Sequence, residues 1–406
     1  MNVLISGASI AGPTLAYWLR RYGFEVTVVE RAPALRPGGQ AVDIRGAARG
    51  VVERMGLMPD VRRACVDERG MAYVDANGRW RASLPVDAFG GEGIVAEIEI
   101  LRGDLSQVLY DATRNDVDYR FDDSIVSLVQ DEQGVHVTFE RGTPQTFDLV
   151  IGADGTHSRV RALAFGEESR FLHPLGAYTA FFTVPHSSAQ HQDQAGWFLF
   201  HNAPGGRAAA IRPDSQHTAK AMFTFSSPPI SYDRRDLDQQ KRILAERFAG
   251  VGWEVPRLLS QMWDAPDFYF DLYGQVRMDQ WTAGRVALIG DAAYSPSPVT
   301  GLGTGLAIVG AYVLAGELAA ARGEHRVAFA RYEAELRDYV TECQKLPPGG
   351  LNGMLPKSRT GIWLRDLSTR MMTKWPMRNL IAKVFQKGER ITLKDYAGSA
   401  DRLASA

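Results

Sequence analysis

Three clusters in this chain combine the residue types that hold a nucleotide. Glycines let backbone N–H groups approach an anion, and a nearby carboxylate can accept hydrogen bonds from sugar hydroxyls. The N-terminal cluster is Gly7-Ala8-Ser9-Ile10-Ala11-Gly12. The apolar run Val3-Leu4-Ile5 precedes it, and Thr14 to Tyr22, stopping at Gly23, follows. A second apolar run, from Glu25 to Val29, closes on Glu30. Strand, tight turn, helix and strand in this order form a dinucleotide-binding βαβ unit. Gly7 permits the turn and Gly12 permits close packing of helix on strand. A pyrophosphate would sit at the helix N-terminus, where unpaired N–H groups and the dipole favour an anion. Glu30 would accept from ribose hydroxyls, which argues against a 2′-phosphate there. Ser9 takes the middle-glycine position and is small enough to hinder the pyrophosphate only slightly. The plainer reading is a generic parallel-sheet turn, but strand, helix and terminal acid in register favour the nucleotide.

The second cluster lies in the C-terminal third. Val286 to Ile289 reads as a buried strand ending at Gly290-Asp291, followed by Pro298-Val299-Thr300-Gly301-Leu302-Gly303-Thr304-Gly305. Asp291 can accept from sugar hydroxyls, and the glycines leave backbone N–H groups for a flat, anionic ligand. The third cluster, Leu149-Val150-Ile151-Gly152-Ala153-Asp154-Gly155, again ends an apolar run in glycine and aspartate. Asp154 would cap the following helix or bind a polar ligand. The first two clusters, at opposite ends of the chain, together point to a flavin.

Taken in chain order, the Gly7–Gly12, Gly152–Gly155 and Gly290–Asp291 segments resemble the single-component flavoprotein aromatic hydroxylases, the para-hydroxybenzoate hydroxylase family. The resemblance runs from Val3 to about Ala320. Gly38-Gly39 leading to Asp43, and Leu101-Arg102-Gly103-Asp104-Leu105, look most like the tetracycline-inactivating and polyketide-modifying monooxygenases. Two departures stand in the third of these segments: Tyr294 where His is usual, and Gly305 and Gly310 where Asn and Asp are usual. The resemblance implies an α/β fold: a Rossmann-like FAD-binding domain (GR2-type) with an inserted antiparallel-sheet substrate domain and C-terminal helices. It implies FAD contacts from Gly7, Ser9, Ile10, Ala11, Gly12, Glu30, Arg31, Arg36, Asp43, Arg45, Arg102, Asp154, Asp291, Pro298, Gly301, Leu302 and Gly303. Arg36 and Arg45 would flank a Gly38-Gly39-Gln40 loop beside the isoalloxazine, where glycines let loop and flavin move and substrate gates reduction.

The implied chemistry belongs to the cofactor. NADPH or NADH reduces FAD, and O2 then gives a C4a-hydroperoxide whose distal oxygen enters a bulky aromatic or polyketide-like molecule. The protein positions the ring and excludes water. No side chain need be a nucleophile, so none is assigned as catalytic. His173, His201, Arg212 and Tyr294 are candidate acids or bases, each better read as structural. No second glycine-rich βαβ unit is present for NAD(P)H, which counts against the disulfide reductases. A flavin halogenase is disfavoured because Trp197 is followed by Phe198-Leu199-Phe200 and lacks a second Trp at the usual spacing. A flavin-dependent reductase or dehydrogenase and a non-catalytic flavin-binding protein remain as alternatives.

Composition agrees with an enzyme of this kind. The chain has 406 residues, 45% of them hydrophobic, which suits two joined domains. A net charge of −1 gives no global attraction to nucleic acid or membrane. Cys65 and Cys343 offer no metal spacing and no disulfide framework, and read as isolated thiols in helices of a cytoplasmic protein. No signal peptide and no apolar run long enough to span a bilayer is read, and a monomer or homodimer is expected.

The elements place these clusters as follows. Residues 1–70, 100–167 and 276–325 are expected to form the discontinuous FAD domain. Residues 71–99 and 168–275 form the substrate domain, and 326–406 a C-terminal helical segment. Helices are expected over Ala47–Met55, Asp104–Thr113, Thr304–Ala321, Arg326–Val340 and from Thr360 to Met372 or beyond, the last with Lys374 on a basic face. Residues 168–275 alternate aromatic and polar side chains (Tyr178 to Val184, Trp197 to Phe200, Ala221 to Phe225) and read as antiparallel strands. Most of those aromatics are core, and a few face a pocket.

Overall fold

The computed structural model of the chain describes residues 1–66, 68–89, 98–185, 196–214, 218–347, 349–372 and 391–396. Lys374 and the rest of the expected C-terminal segment beyond 372, apart from 391–396, lie outside them. The expected βαβ unit opens the chain as β1 (Asn2–Ser6), α1 (Ala11–Arg21) and β2 (Glu25–Glu30). β1 lies inside a six-stranded sheet ordered β17 (Thr282–Ala283), β18 (Val286–Leu288), β11 (Leu149–Gly152), β1, β2 and β7 (Asp118–Phe121). All pair in parallel except β17. Val3, Leu4 and Ile5 are fully buried, as the unbroken apolar run of an inner parallel strand requires. Ser6 pairs with Gly152, and Gly152 with Leu288. This register brings the ends of β1, β11 and β18, and the three glycine turns after them, to one edge of the sheet. Open α/β sheets bind ligands at that carboxyl edge.

α1 packs on α9 (Gly303–Ala320), which also meets α2 (Ala47–Arg54) and α10 (His325–Cys343). α9 has no polar face and is buried along most of its length, as an all-apolar helix must be in a globular core. By length and composition alone it could cross a membrane, so the expectation of no such run is corrected. Its one acid, Glu317, is 3% exposed and accepts from Tyr396 Oη (2.8 Å) and Lys394 Nζ (3.0 Å). A small sheet of β8 (Ile125–Gln130), β9 (Val135–Phe139) and β10 (Gln145–Phe147) shares this core through Ile125, Val137 and Phe147.

A second, seven-stranded sheet has its own core. Its order is β16 (Tyr269–Val276), β12 (Leu172–Pro185), β15 (Thr218–Ser226), β14 (Arg207–Pro213), β13 (Trp197–Ala203), β4 (Gly70–Val74) and β5 (Trp80–Pro85). The pairing is antiparallel, as expected, except that β4 runs parallel to β13. Residues 168–275 also contain two helices that the strand reading passed over, α6 (Leu237–Arg247) and α7 (Val255–Gln261). They are short, and polar residues dominate α6, so their apolar period is weak. Leu244, Leu258 and the flanking Phe248 nevertheless seal one face of the sheet, against Tyr178, Phe182, Phe223 and Phe225.

Shorter elements join the two units. β3 (Ala41–Asp43) pairs with β6 (Glu99–Leu101), which runs straight into α4 (Arg102–Asp111). α3 (Met58–Arg63), α5 (Arg159–Ala164), α8 (Asp291–Tyr294) and α11 (Gly350–Met354) are single turns or little more. α12 (Arg359–Met372) packs across β5 and β13. Neither cysteine is in a disulfide among the described residues: Cys343 is buried at the end of α10, whereas Cys65 lies just past α3 in a bridge to Ile100, outside any helix.

Candidate functional site

The three glycine turns touch. Gly7 has φ +110°, and a Cβ there would lie 2.5 Å from the Ala153 carbonyl oxygen and 3.1 Å from Asp154 Cα. A Cβ on Gly12 would fall on the Gly7 carbonyl oxygen itself. Gly290, at φ +60°, packs between Ala11 at the start of α1 and Ala307 on α9, with a Cβ 3.3 Å and 3.4 Å from theirs. Only glycine satisfies the first and third positions without strain. No side chain caps α1, whose N-cap is Ile10 and whose first turn has no acid. The end of this helix therefore keeps its dipole and N–H groups for a ligand.

Acids and arginines surround this junction. Glu30 is held by two backbone donors, Ala8 N–H on one carboxylate oxygen and Ala32 N–H on the other, both at 2.9 Å. Each oxygen keeps a lone pair for a further hydroxyl. Arg102 begins α4, and its Nε donates to Ser9 Oγ at 3.2 Å. The residue that interrupts the glycine pattern thus seats an arginine beside the turn. Asp291 is open to solvent but ringed by protein, and this recess raises its pKa, while Arg102 and Ser295 pull the other way. Asp291 Oδ1 lies 3.6 Å from the Cβ position of Gly303, at the start of α9. Ser297 takes φ +76°, unusual for a side-chain-bearing residue, and its buried Oγ finds no partner among the described residues. Strain and an orphaned hydroxyl at the head of Pro298–Gly303 fit a loop shaped for something beyond the chain itself. Gly301, also left-handed at φ +68°, has its Cβ position 3.7 Å from Asp43 Oδ2. Asp43 pairs with Arg45; burial raises its pKa, against Arg45 and Arg212.

The loop before Asp43 is stapled to α4. Arg102 N–H donates to Gln40 O at 3.0 Å and Gly103 N–H to Gly38 O at 2.7 Å. Arg31 and Arg36 are exposed side chains. Asp154 accepts from the Arg159 and Val160 N–H groups at 2.7 and 3.1 Å and from the Ser158 hydroxyl, so together with the N-cap Ser158, which accepts from Arg161 N–H, it caps the first turn of α5. Ile10 and Ala11 are buried at the start of α1, Leu302 is its counterpart before α9, and Pro298 is exposed.

Strand register identifies the side chains that face this junction. Side chains alternate across a sheet, and one face of the seven-stranded sheet is sealed by α6 and α7. The pairs Phe181 with Tyr269 and with Met222, Met222 with Ala210, Ala210 with Phe200, and Phe200 with Tyr73 occupy the other face. Phe181, Met222, Phe198, Phe200 and Tyr73 are half-buried there and Tyr269 is 44% exposed. Lys220 on this face meets Gly38 of the nucleotide-side loop, and Arg212 pairs with Glu68 (2.6 Å) and with Glu99. At its far end Arg365 of α12 stacks on Tyr73, 3.4 Å from the ring centroid. The sheet thus presents a partly open aromatic floor between loop 36–43 and α12. Sequence alternation predicts only that a few of these aromatics face a pocket; which ones do is readable through the strand partners.

Two residues given no role from sequence tie distant segments together. Arg161 is fully buried; it donates to Ala292 O at 2.9 Å and Thr156 O at 2.6 Å, tying the Asp154 segment to the Asp291 segment. His157 bridges Glu168 (2.8 Å from Nδ1) and Asp271 (2.9 Å from Nε2). Burial pulls its pKa down, but the two carboxylates outweigh it and lift it to about 8. Its signal in the sequence was a histidine three residues past Asp154. Of the candidate acids and bases, His201 is buried on the Val74 carbonyl and burial lowers its pKa. His173 is exposed at the start of β12. Tyr294 is core: its hydroxyl accepts from Tyr332 at 3.1 Å, and a Cβ on Gly310 would fall on it. Tyr294 and Gly310, which both depart from the common pattern, occupy one space, the larger residue matched by the smaller.

The sequence pattern of the family described as FAD binding domain matches residues 1–346. A flavin-dependent monooxygenase of Legionella longbeachae is 37% identical over 98% of this chain and 99% of its own length. An uncharacterised protein of Mycobacterium tuberculosis is 45% identical over 87% of this chain and 95% of its own. Among solved structures, the tetracycline destructase Tet(51) is 35% identical with a TM-score of 0.82, covering 97% of this chain and 99% of that one.

Proposed function

The chain belongs to the FAD-binding-domain family, and on that premise we propose that it is an FAD-dependent monooxygenase that spends NAD(P)H and O2 to hydroxylate a bulky aromatic or polyketide-like molecule. The observation that carries this reading is the convergence of the Gly7, Gly152–Asp154 and Gly290–Asp291 turns at one sheet edge, facing an aromatic floor. The residues fit the cofactor. Gly7, Ser9, Ile10, Ala11 and Gly12 would hold the pyrophosphate at the bare end of α1, and Glu30 the adenosine ribose, with Arg31 beside it. Arg102 and Asp291 would hold the middle of the cofactor. Asp43, Arg36, Arg45 and the Pro298–Gly303 loop with Leu302 would border the flavin ring. Asp154 acts in this scheme through the cap it gives α5.

FAD held by these residues would supply the redox chemistry, hydride acceptance from NAD(P)H and activation of O2. The chain's own work is placement and protection. Phe181, Met222, Phe198 and Phe200 offer apolar area for a flat substrate, and loop 36–43 and α12 border the space, limiting water. The glycines of loop 36–40 allow that wall to move, so reduction of FAD by NADPH is expected to be slow alone and faster with substrate bound. We take residues 1–70, 100–167 and 276–325 as the FAD domain, 71–99 and 168–275 as the substrate domain, and 326–406 as the C-terminal segment.

The relatives named monooxygenase and tetracycline destructase support a polycyclic, oxygen-rich substrate. The test is NADPH consumption and O2 uptake by the FAD-loaded protein with tetracycline and with simpler phenols. Acceleration of both by a polycyclic phenol is expected. NADPH oxidation with no O2 uptake would replace the hydroxylase with a flavin-dependent reductase.

A further inference from the structure

A line of hydrogen bonds leaves the aromatic floor and ends at solvent. Tyr269 Oη donates to Asp271 Oδ2 at 2.8 Å. The same oxygen lies 2.9 Å from His157 Nε2, and His157 Nδ1 lies 2.8 Å from Glu168 Oε2. Asp271 is 7% exposed, and the side chain of Glu168 is 28% exposed. Tyr269 pairs with Phe181 and shares its face of the sheet, the face that carries the aromatic floor. The line therefore crosses from the candidate reaction space, through a buried carboxylate and an imidazole, to the surface.

We propose that Tyr269, Asp271, His157 and Glu168 form a proton relay that carries solvent protons to the oxygen atom reacting in the cleft. It rests on the FAD reading above. The stoichiometry demands a proton: NAD(P)H, H+, O2 and R–H give NAD(P)+, R–OH and H2O. Without substrate, NAD(P)H, H+ and O2 give NAD(P)+ and H2O2. Either way one solvent proton is consumed at the reacting oxygen, in a space that cofactor and substrate would cover. In the relay the Tyr269 hydroxyl turns from Asp271 and gives its proton to the acceptor oxygen. Asp271 replaces it with a proton taken from His157 Nε2. The imidazolium becomes a neutral imidazole protonated on Nδ1; a half-turn of the ring then presents the bare nitrogen to Glu168, which passes to it a proton taken from water and restores the charge. Tyr269 is the one member that would touch the reacting oxygen; the others act through it.

The surroundings keep His157 charged at neutral pH. Glu168 and Asp271 face its two nitrogens. On its own segment Asp154 caps α5 and Arg161 stays 3.6 Å from Glu168; from the loop before α6, Arg234 pairs with Glu168 at 2.9 Å, and Tyr232 stands near Asp271. His157 is raised to about 8, so the imidazolium dominates below that pH and the relay's proton source fails as pH rises through it.

Proton uptake can be read without knowing the substrate. FAD-loaded protein, reduced anaerobically with dithionite, is mixed with O2 in weak buffer containing phenol red. Tyr269→Phe and His157→Gln should slow proton uptake at least tenfold at pH 7, with FAD affinity unchanged in both and, in Tyr269→Phe, the melting temperature of the parent. In His157→Ala, added imidazoles should restore uptake in proportion to their basicity, which mere refilling of a cavity would not produce. In the FAD-free protein, nitrogen NMR should show His157 titrating at about 8, and Asp271→Asn should move it down. Unchanged uptake in Tyr269→Phe, rescue indifferent to imidazole basicity, or no movement of the titration in Asp271→Asn would each overturn the relay. If, with a polycyclic phenol that accelerates NADPH oxidation also present, the relay-dependent protons ended only in peroxide and no product were hydroxylated, the hydroxylase reading would fail and the relay would stand.

Discussion

Replacing Gly7 with alanine tests whether the contact between the first and second glycine turns builds the cofactor site. Gly7 has φ +110°, and its new methyl would sit 2.5 Å from the Ala153 carbonyl oxygen, where ordinary contacts begin at 3.4 Å. Two backbone segments must therefore part by about 0.9 Å, the difference between those distances. Overpacking of this kind costs about 1–3 kcal/mol, and the left-handed backbone costs about 1–2 kcal/mol more for a residue with a Cβ. Gly23 separates the two costs: it has φ +81°, and a Cβ there meets nothing within 4 Å. Gly23→Ala should lower the melting temperature and leave FAD affinity unchanged. Gly7→Ala should lower it further and weaken FAD by about five- to 150-fold, the equivalent of about 1–3 kcal/mol. Fluorescence titration of the apoprotein with FAD, beside a thermal melt, measures both. Equal FAD affinity in Gly7→Ala and Gly23→Ala would refute the idea that this close approach shapes the site.

Asp291→Ala should weaken FAD about ten- to a hundredfold, since a hydrogen bond to a charged group is worth about 1.5–3 kcal/mol; unchanged affinity by the same titration would remove Asp291 from the site. Gly310→Ala drives a methyl onto the Tyr294 hydroxyl, so denaturant unfolding should show a loss of about 1–3 kcal/mol that Tyr294→Phe partly relieves, the double variant being more stable than the sum of the singles. His157 also links the two halves of the molecule. Its folded pKa is raised, so its contribution to stability is complete below about 6.5 and fades as pH rises through about 8. The shift corresponds to about 2 kcal/mol; melting temperatures measured across that window should fall in the parent and stay flatter in His157→Gln.

How much of this was legible in the sequence differs from residue to residue. The Gly7–Gly12 turn, Glu30 and the Asp291 strand were readable because each is a local pattern: apolar run, glycine, acid. Their meeting follows from parallel register, and the fold class from their order. The aromatic floor was readable only in part. Tyr178 to Val184 alternates plainly, yet alternation does not say whether Phe181 or Phe182 faces the helices; that depends on α6 and α7, which are short, α6 also being largely polar, so their apolar period is weak. Arg161 and His157 stayed without a role because their partners, Ala292, Asp271 and Glu168, lie in distant or unremarkable segments. Tyr294 and Gly310 illustrate the same limit: read singly each departs from a pattern, and only their shared space explains both.

The most direct test of the central claim is the fate of isotopically labelled O2. FAD-loaded protein is given NADPH, labelled O2 and a polycyclic phenol that accelerates NADPH consumption, and the product is analysed by mass spectrometry. One labelled oxygen atom per product molecule, with one NADPH consumed per coupled turnover, is the expected result. Product that carries oxygen only from water, or that has merely lost hydrogen, would contradict the monooxygenase.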